Sequence, residues 1–295
     1  APGFAVAVAG QQYVGPYRLM SLIRTGATCQ VWEAMHGGAN QRCALKTLQK
    51  EHRKKREEVA ALRREYDIAS KFSHPRIIRA LDFGMDDVDV YLALDLYAAP
   101  NMKQLLQKLT LQANAERLDH WYPRIVDDAA QGLEYLHSQG YIHRDVKPHN
   151  FLVGAEGETK LIDFSLSEKM KTGLAKLFGG KSKVQGTRSY MSPEQIRGQK
   201  LDPRADVYSF GCTMYELFTT KPPYTGASAD DLLMKHLKSP PPSIETHNKL
   251  VTTEFSELIR RCLGKKPTDR PGSMSDFLQE LRAMKVFKVP PRPGR

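Results

Sequence analysis

The sequence predicts an α+β chain of two unequal lobes. Up to about residue 97, apolar and polar residues alternate between turn signals, as strands do. Beyond Ala98-Ala99-Pro100 the apolar residues recur at helical spacing instead. In the first part, residues 17–23, 29–35, 42–48, 78–83 and 90–96 read as five strands, with one long charged helix over about 54–72. In the second, residues 102–109, 121–139, 206–219, 229–237, 253–263 and 273–284 read as helices. The expected organisation is a flexible tail over 1–16, a small lobe over 17–97, a large lobe over 98–286 and a basic, proline-containing tail over 287–295, disordered from Val289 on.

With 295 residues, 41% of them hydrophobic, the chain can bury a sizeable core. Cys29, Cys43, Cys212 and Cys262 are scattered, with neither close pairing nor zinc-site spacing. A reducing, cytoplasmic setting fits that pattern. The apolar start at Phe4 lacks a basic leader and is too short to span a bilayer, so no membrane contact is expected from this segment. The chain opens at Ala1 without a methionine, as a trimmed piece of a longer protein would, and an anchor or regulatory domain beyond it stays open.

A formal charge of +11, from 44 basic and 33 acidic residues, raises the question of nucleic acid. The densest basic run, residues 50–64, is interleaved with Glu51, Glu57 and Glu58 and holds no aromatic residue to stack on bases. It reads as a solvated helix face, and nucleic acid is not expected as a partner.

The chemistry is concentrated in His143-Arg144-Asp145-Val146-Lys147-Pro148-His149-Asn150 and, shortly after, Asp163-Phe164-Ser165. Asp145 is suited to accept the proton of an attacking hydroxyl and Lys147 to neutralise charge on a phosphoryl group. Asn150 and Asp163 offer the hard oxygen ligands that magnesium prefers.

These runs, with Cys43-Ala44-Leu45-Lys46 upstream and Ser192-Pro193-Glu194 downstream, resemble the catalytic domain of the eukaryotic-type (Hanks-type) protein serine/threonine kinases. The resemblance covers about residues 17–284, and Tyr190-Met191-Ser192-Pro193-Glu194-Gln195 with Pro222-Pro223-Tyr224 is most like bacterial members. It implies a bilobal protein kinase fold: a small lobe with a five-stranded antiparallel sheet and one helix, and a larger, mainly helical lobe. It also implies ATP, with Mg2+ or alternatively Mn2+, and a protein substrate with a serine or threonine acceptor.

By the same resemblance, Lys46 holds nucleotide phosphates with Glu65 as its ion-pair partner, and Gly26 lies in the phosphate-covering loop. Val31, Ala44 and Leu152 sandwich the adenine, Leu94 controls access behind it, and Asp95 to Tyr97 present linker backbone to its edge. Asp145, Lys147 and Asn150 form the catalytic set, and Asn150 and Asp163 bind metal. Lys147 marks the serine/threonine branch. Arg144 is the residue that commonly pairs with an activating phosphate, for which Thr172, Ser182 and Ser189 are candidate sites with Ser182 first, and a solvated basic loop is the equal alternative. Glu194 and Arg270 are a scaffold ion pair, and Asp206 holds the catalytic-loop backbone.

Two departures leave a second reading open. The phosphate-covering loop has Arg24 and Cys29 where the family has its first and third glycines. Arg24 would add charge toward phosphates, and Cys29 reads as a small filler or, alternatively, a redox handle. Ser165 replaces another glycine, and a serine forced to positive φ would cost about 1–2 kcal/mol. A pseudokinase or scaffold that binds nucleotide or a partner with little phosphoryl transfer is the alternative function. The basic surface hints at acidic residues flanking the acceptor, and homodimerisation stays open.

Overall fold

The computed structural model describes residues 12–111, 119–170 and 185–289. The chain divides into two units, one running to Ala98 and taking in Asp163–Ser165, the other holding Ala99–Ile162 and the chain from Leu166 onward.

The first unit is built on β1 (Tyr13–Val14), β2 (Tyr17–Thr25), β3 (Cys29–His36) and β4 (Arg42–Leu48), then helix α1 (Arg56–Ala69), β5 (Ala80–Met85) and β6 (Val90–Asp95). The sheet order is β1-β2-β3-β4-β6-β5, and every pairing is antiparallel. The expected five strands are joined by a sixth, β1, inside the segment read as a flexible tail. Its cause is local: Gly15 takes φ +53, a conformation open to glycine, and turns the chain so that Val14 pairs with Tyr17. Val14 is buried, and a Cβ on Gly15 would lie 2.6 Å from the Tyr91 ring. Residues 1–11 lie outside the described residues.

Strand β5 begins two residues later than expected, because Ile77 and Ile78 are buried anchors ahead of it. On α1 the buried residues are Leu62, Glu65, Ile68 and Ala69, one face at three- and four-residue spacing. A charged residue therefore sits within the apolar stripe, a placement that requires a partner.

The second unit contains α2 (Met102–Leu111), α3 (Tyr122–Ser138), β7 (Tyr141–Ile142), β8 (Phe151–Val153), β9 (Thr159–Leu161), β10 (Glu168–Lys169), α4 (Pro193–Ile196), α5 (Arg204–Thr219), α6 (Ala229–Lys238), α7 (Thr253–Cys262) and α8 (Met274–Arg282). Every residue of α5 from Ala205 to Thr219 is buried, so this helix is the centre around which the unit packs. Ser228, Thr252 and Ser273 cap α6, α7 and α8 by accepting from the backbone N–H three residues on. Ser192 and Gln195 form a capping box on α4.

The expected pair of Glu194 and Arg270 forms in full. The guanidinium reaches the carboxylate by two bonds of 2.6 and 2.8 Å and also donates to the carbonyls of Gly264 and Arg204. At the other end, the basic tail begins later than expected. Phe287 is buried and bridges Val251, and Lys288 N–H donates to Leu250 at 2.8 Å, because an aromatic side chain found room beside Tyr122 and Phe218. Residues 290–295 lie outside the described residues. Among the described residues no helix is long and apolar enough to cross a membrane.

Arg270→Ala should destabilise the protein by about 3–5 kcal/mol in denaturant unfolding, because it leaves the Glu194 carboxylate buried without its cation.

A pH effect follows from His236, fully buried beside the Tyr208 hydroxyl at 2.9 Å, where burial and then the Lys265 charge lower its pKa to about 4. Between pH 6.5 and 4 the unfolded chain takes up a proton that the folded chain refuses, so stability falls as pH falls through that window. The slope should approach about 1.4 kcal/mol per pH unit and be shallower in His236→Gln, as read from unfolding free energies across the range.

Candidate active site

The loop that carries Asp145 is positioned by one buried carboxylate. Asp206, in the first turn of α5, accepts from the backbone N–H of His143 at 2.7 Å and of Arg144 at 2.9 Å. His137 Nε2, from α3, lies 2.8 Å from the same group. Burial alone would raise the Asp206 pKa, but the His137 contact and charge, with the backbone bond, leave it below the ordinary carboxylate range. Arg144 is held at φ +71, which costs a non-glycine residue about 1–2 kcal/mol, and Gln195 Nε2 donates to its carbonyl at 2.8 Å.

Beyond this anchored turn, Asp145, Lys147 and Asn150 come together. Lys147 Nζ lies 2.5 Å from Asp145 Oδ2 and donates to Thr187 Oγ1 at 2.9 Å. Asp145 Oδ1 accepts from both the backbone N–H and the hydroxyl of Thr187, each at 3.0 Å. Asn150 Nδ2 donates to the Asp145 carbonyl at 2.8 Å, which commits the nitrogen and leaves the amide oxygen as its acceptor end. Thr187 follows Gly186, whose φ of +122 and close approach to the Arg144 carbonyl exclude a side chain. Leu152 lies on β8, opposite Lys160 of β9 and bridged to Asn101. Asp128 of α3 secures that hairpin by accepting from Thr159 N–H at 3.0 Å.

In the first unit, Lys46, Glu65 and Asp163 form a second cluster. Lys46 Nζ is 2.6 Å from Glu65 Oε2 and 3.7 Å from Asp163 Oδ1. Burial opposes the Lys46 charge, but the two carboxylates outweigh it and hold the ammonium above its ordinary pKa. Burial lifts the Glu65 carboxyl to about 7, with the ammonium working against that rise. Val31 sits opposite Lys46 on the neighbouring strand, and Ala44 opposite Leu94. Asp95 turns its carboxylate to Arg79 at 3.3 Å, and its N–H donates to the Arg79 carbonyl. Tyr97 is half-buried just after β6.

The loop expected to cover phosphates comprises residues 26–28, between β2 and β3. Gly26 N–H donates to the Cys29 carbonyl at 2.8 Å, and Gln49 Nε2 donates to the Gly26 carbonyl at 2.6 Å. Arg24 is exposed within β2, and its charge acts on Glu65. Burial pushes the Cys29 thiol up, which fits a filler better than a redox handle.

One expectation changes, and Arg144 has a partner in the structure. Ser165 is not at positive φ; the left-handed residue of that segment is Asp163, at φ +67. The strain expected of the serine is therefore absent, because the turn is made two residues earlier. Arg144, expected to await a phosphate, is already engaged: its Nη1 lies 2.6 Å from Glu168 Oε2. Thr172 and Ser182 lie outside the described residues, and Ser189 is half-buried in the short turn after Thr187. Sequence alone assigns no site role to His137, Glu168 or Gln195. The cue for His137 was its place on the apolar face of α3, for Glu168 its sign among lysines, and for Gln195 its capping-box spacing from Ser192.

The protein kinase domain family matches residues 17–284. The chain belongs to the protein kinase family. Over 286 residues, 95% of the chain, it is 31% identical to the serine/threonine-protein kinase PknA of Mycobacterium tuberculosis, covering 64% of that protein. It is 33% identical to the serine/threonine-protein kinase pkn3 of Myxococcus xanthus over 92% of the chain and 51% of the relative. Against the serine/threonine-protein kinase PrkC of Bacillus subtilis the identity is 26%, over 92% of the chain and 41% of the relative. The chain thus spans between about two fifths and two thirds of the length of these curated relatives.

Protein kinase membership implies ATP and a divalent metal. The donors present suit a hard cation: an amide oxygen at Asn150 and a carboxylate at Asp163, which is about a quarter exposed. Among the described residues no three His, Cys, Asp or Glu side chains cluster as a metal cage.

Asp206→Ala would strip the acceptor from two backbone N–H groups of the catalytic loop. At about 2 kcal/mol of lost local protection, amide hydrogen exchange at His143 and Arg144 should quicken about 30-fold while the core of α5 stays protected.

Proposed function

We propose that this chain is the catalytic part of an ATP- and Mg2+-dependent protein serine/threonine kinase. The observation that carries the reading is Lys147, which reaches both the Asp145 carboxylate and the Thr187 hydroxyl. A hydroxyl held between a carboxylate and an ammonium is the arrangement an acceptor serine or threonine needs. The carboxylate takes the proton, and the ammonium offsets charge on the transferring phosphoryl.

In this reading Lys46, fixed by Glu65, holds nucleotide phosphates, and Asn150 and Asp163 hold the metal, which would neutralise phosphate charge. Gly26, Val31, Ala44, Leu152 and the backbone of Asp95 to Tyr97 bind the rest of the nucleotide. Mn2+ is the alternative metal. The scaffold alternative rests on the replaced glycines, of which the one at position 165 is met by a serine outside the positive-φ region. A cytoplasmic setting is the reading that the four free cysteines support. The activation-segment phosphorylation expected above is proposed with Ser182 as its first site.

Asp145→Asn should lower transfer of labelled γ-phosphate to the protein itself and to a generic protein substrate by about 10² to 10⁴. Nucleotide affinity should be nearly unchanged. Equal transfer by the variant and the parent would refute the assignment of Asp145.

A further inference from the structure

Resting on that reading of the site, we propose that Ser165 is a positioning residue for the metal-binding carboxylate: its hydroxyl locks Asp163 in the orientation that receives the cation. Ser165 Oγ donates to Asp163 Oδ1 at 2.7 Å, with the Ser165 N–H at 3.4 Å from the same oxygen. Lys46 Nζ approaches that oxygen too, at 3.7 Å. All three groups stand against Oδ1. A glycine at position 165 could supply only the long backbone contact.

The serine is itself held. Arg64, one residue before Glu65 on α1, donates from Nη1 to the Ser165 carbonyl at 3.2 Å. Phe164 is fully buried and packs edge-on against Phe72, with ring centroids 5.7 Å apart. Asp163 bears the φ of +67. A residue kept in the left-handed region has a backbone that tends to relax, which would swing its carboxylate away. The short bond from residue 165 back to residue 163 closes this turn across its own side chain. A side chain that would be neutral on a flexible segment here replaces the freedom of glycine with a fixed geometry, so that less order has to be imposed when the cation binds.

The test compares the intact chain with Ser165→Ala, which deletes the hydroxyl and keeps the Cβ, and Ser165→Thr, which keeps the hydroxyl. Binding of a fluorescent ATP analogue is titrated with Mg2+ and, separately, without divalent metal. The alanine variant should need about 3- to 10-fold more Mg2+ to reach half of the metal-dependent gain in nucleotide affinity. Its metal-free affinity should be unchanged, and the threonine variant should keep the parent's requirement. An unchanged or lower Mg2+ requirement in the alanine variant overturns the proposal, as does a threonine variant that behaves like alanine. Because binding is read without phosphoryl transfer, a parent that binds the nucleotide but transfers no phosphate would sink the kinase reading and leave this result standing.

Discussion

The buried Asp206 carboxylate is the constraint on which the loop carrying Asp145 depends. A charge inside the fully buried helix α5 is tolerable only if its lone pairs are satisfied, and here they are satisfied by two successive backbone N–H groups and one imidazole. The same bonds fix the Arg144 backbone at an unfavourable φ, which in turn sets the direction in which Asp145 leaves the turn. Rigid core and reactive side chain are thereby joined through main-chain atoms. Gln195 adds a third hold on the turn and is itself tied to Ser192 by the α4 capping box.

A related logic governs the first unit. Glu65 lies within the apolar face of α1 and can be buried because Lys46 meets it at 2.6 Å. Lys46 in turn stays charged because Asp163 adds a second carboxylate. Each of the three would be expensive alone. In the second unit the Arg144 guanidinium meets the more exposed Glu168 carboxylate at 2.6 Å.

Much of this was legible in the residue order. The helices and the main strands follow from periodicity, and α5 was visible as a long apolar segment around Asp206. The Asp145, Lys147 and Asn150 run suited phosphoryl transfer, and the roles of its members came from the resemblance to the kinase family. Elements of two or three residues were not legible, because β1, β7, β8, β9 and β10 are too short to display a period. Backbone strain was also hidden. The sequence drew attention to Ser165 as an absent glycine, whereas the positive φ belongs to Asp163 and Arg144, whose identities give no such warning. Partners distant in sequence, such as His137 with Asp206, required the fold to become visible.

The central claim is that the Asp145 carboxylate and the Lys147 ammonium, which here hold the Thr187 hydroxyl, serve an aliphatic acceptor hydroxyl in the reaction, and its most direct test is phosphoamino-acid analysis. The chain would be incubated with Mg-ATP and a mixed protein substrate, and the modified residues identified by acid hydrolysis and by peptide mass spectrometry. Phosphoserine and phosphothreonine alone are the predicted result. Phosphotyrosine as the main product, or nucleotide binding with no phosphorylated residue at all, would contradict the account.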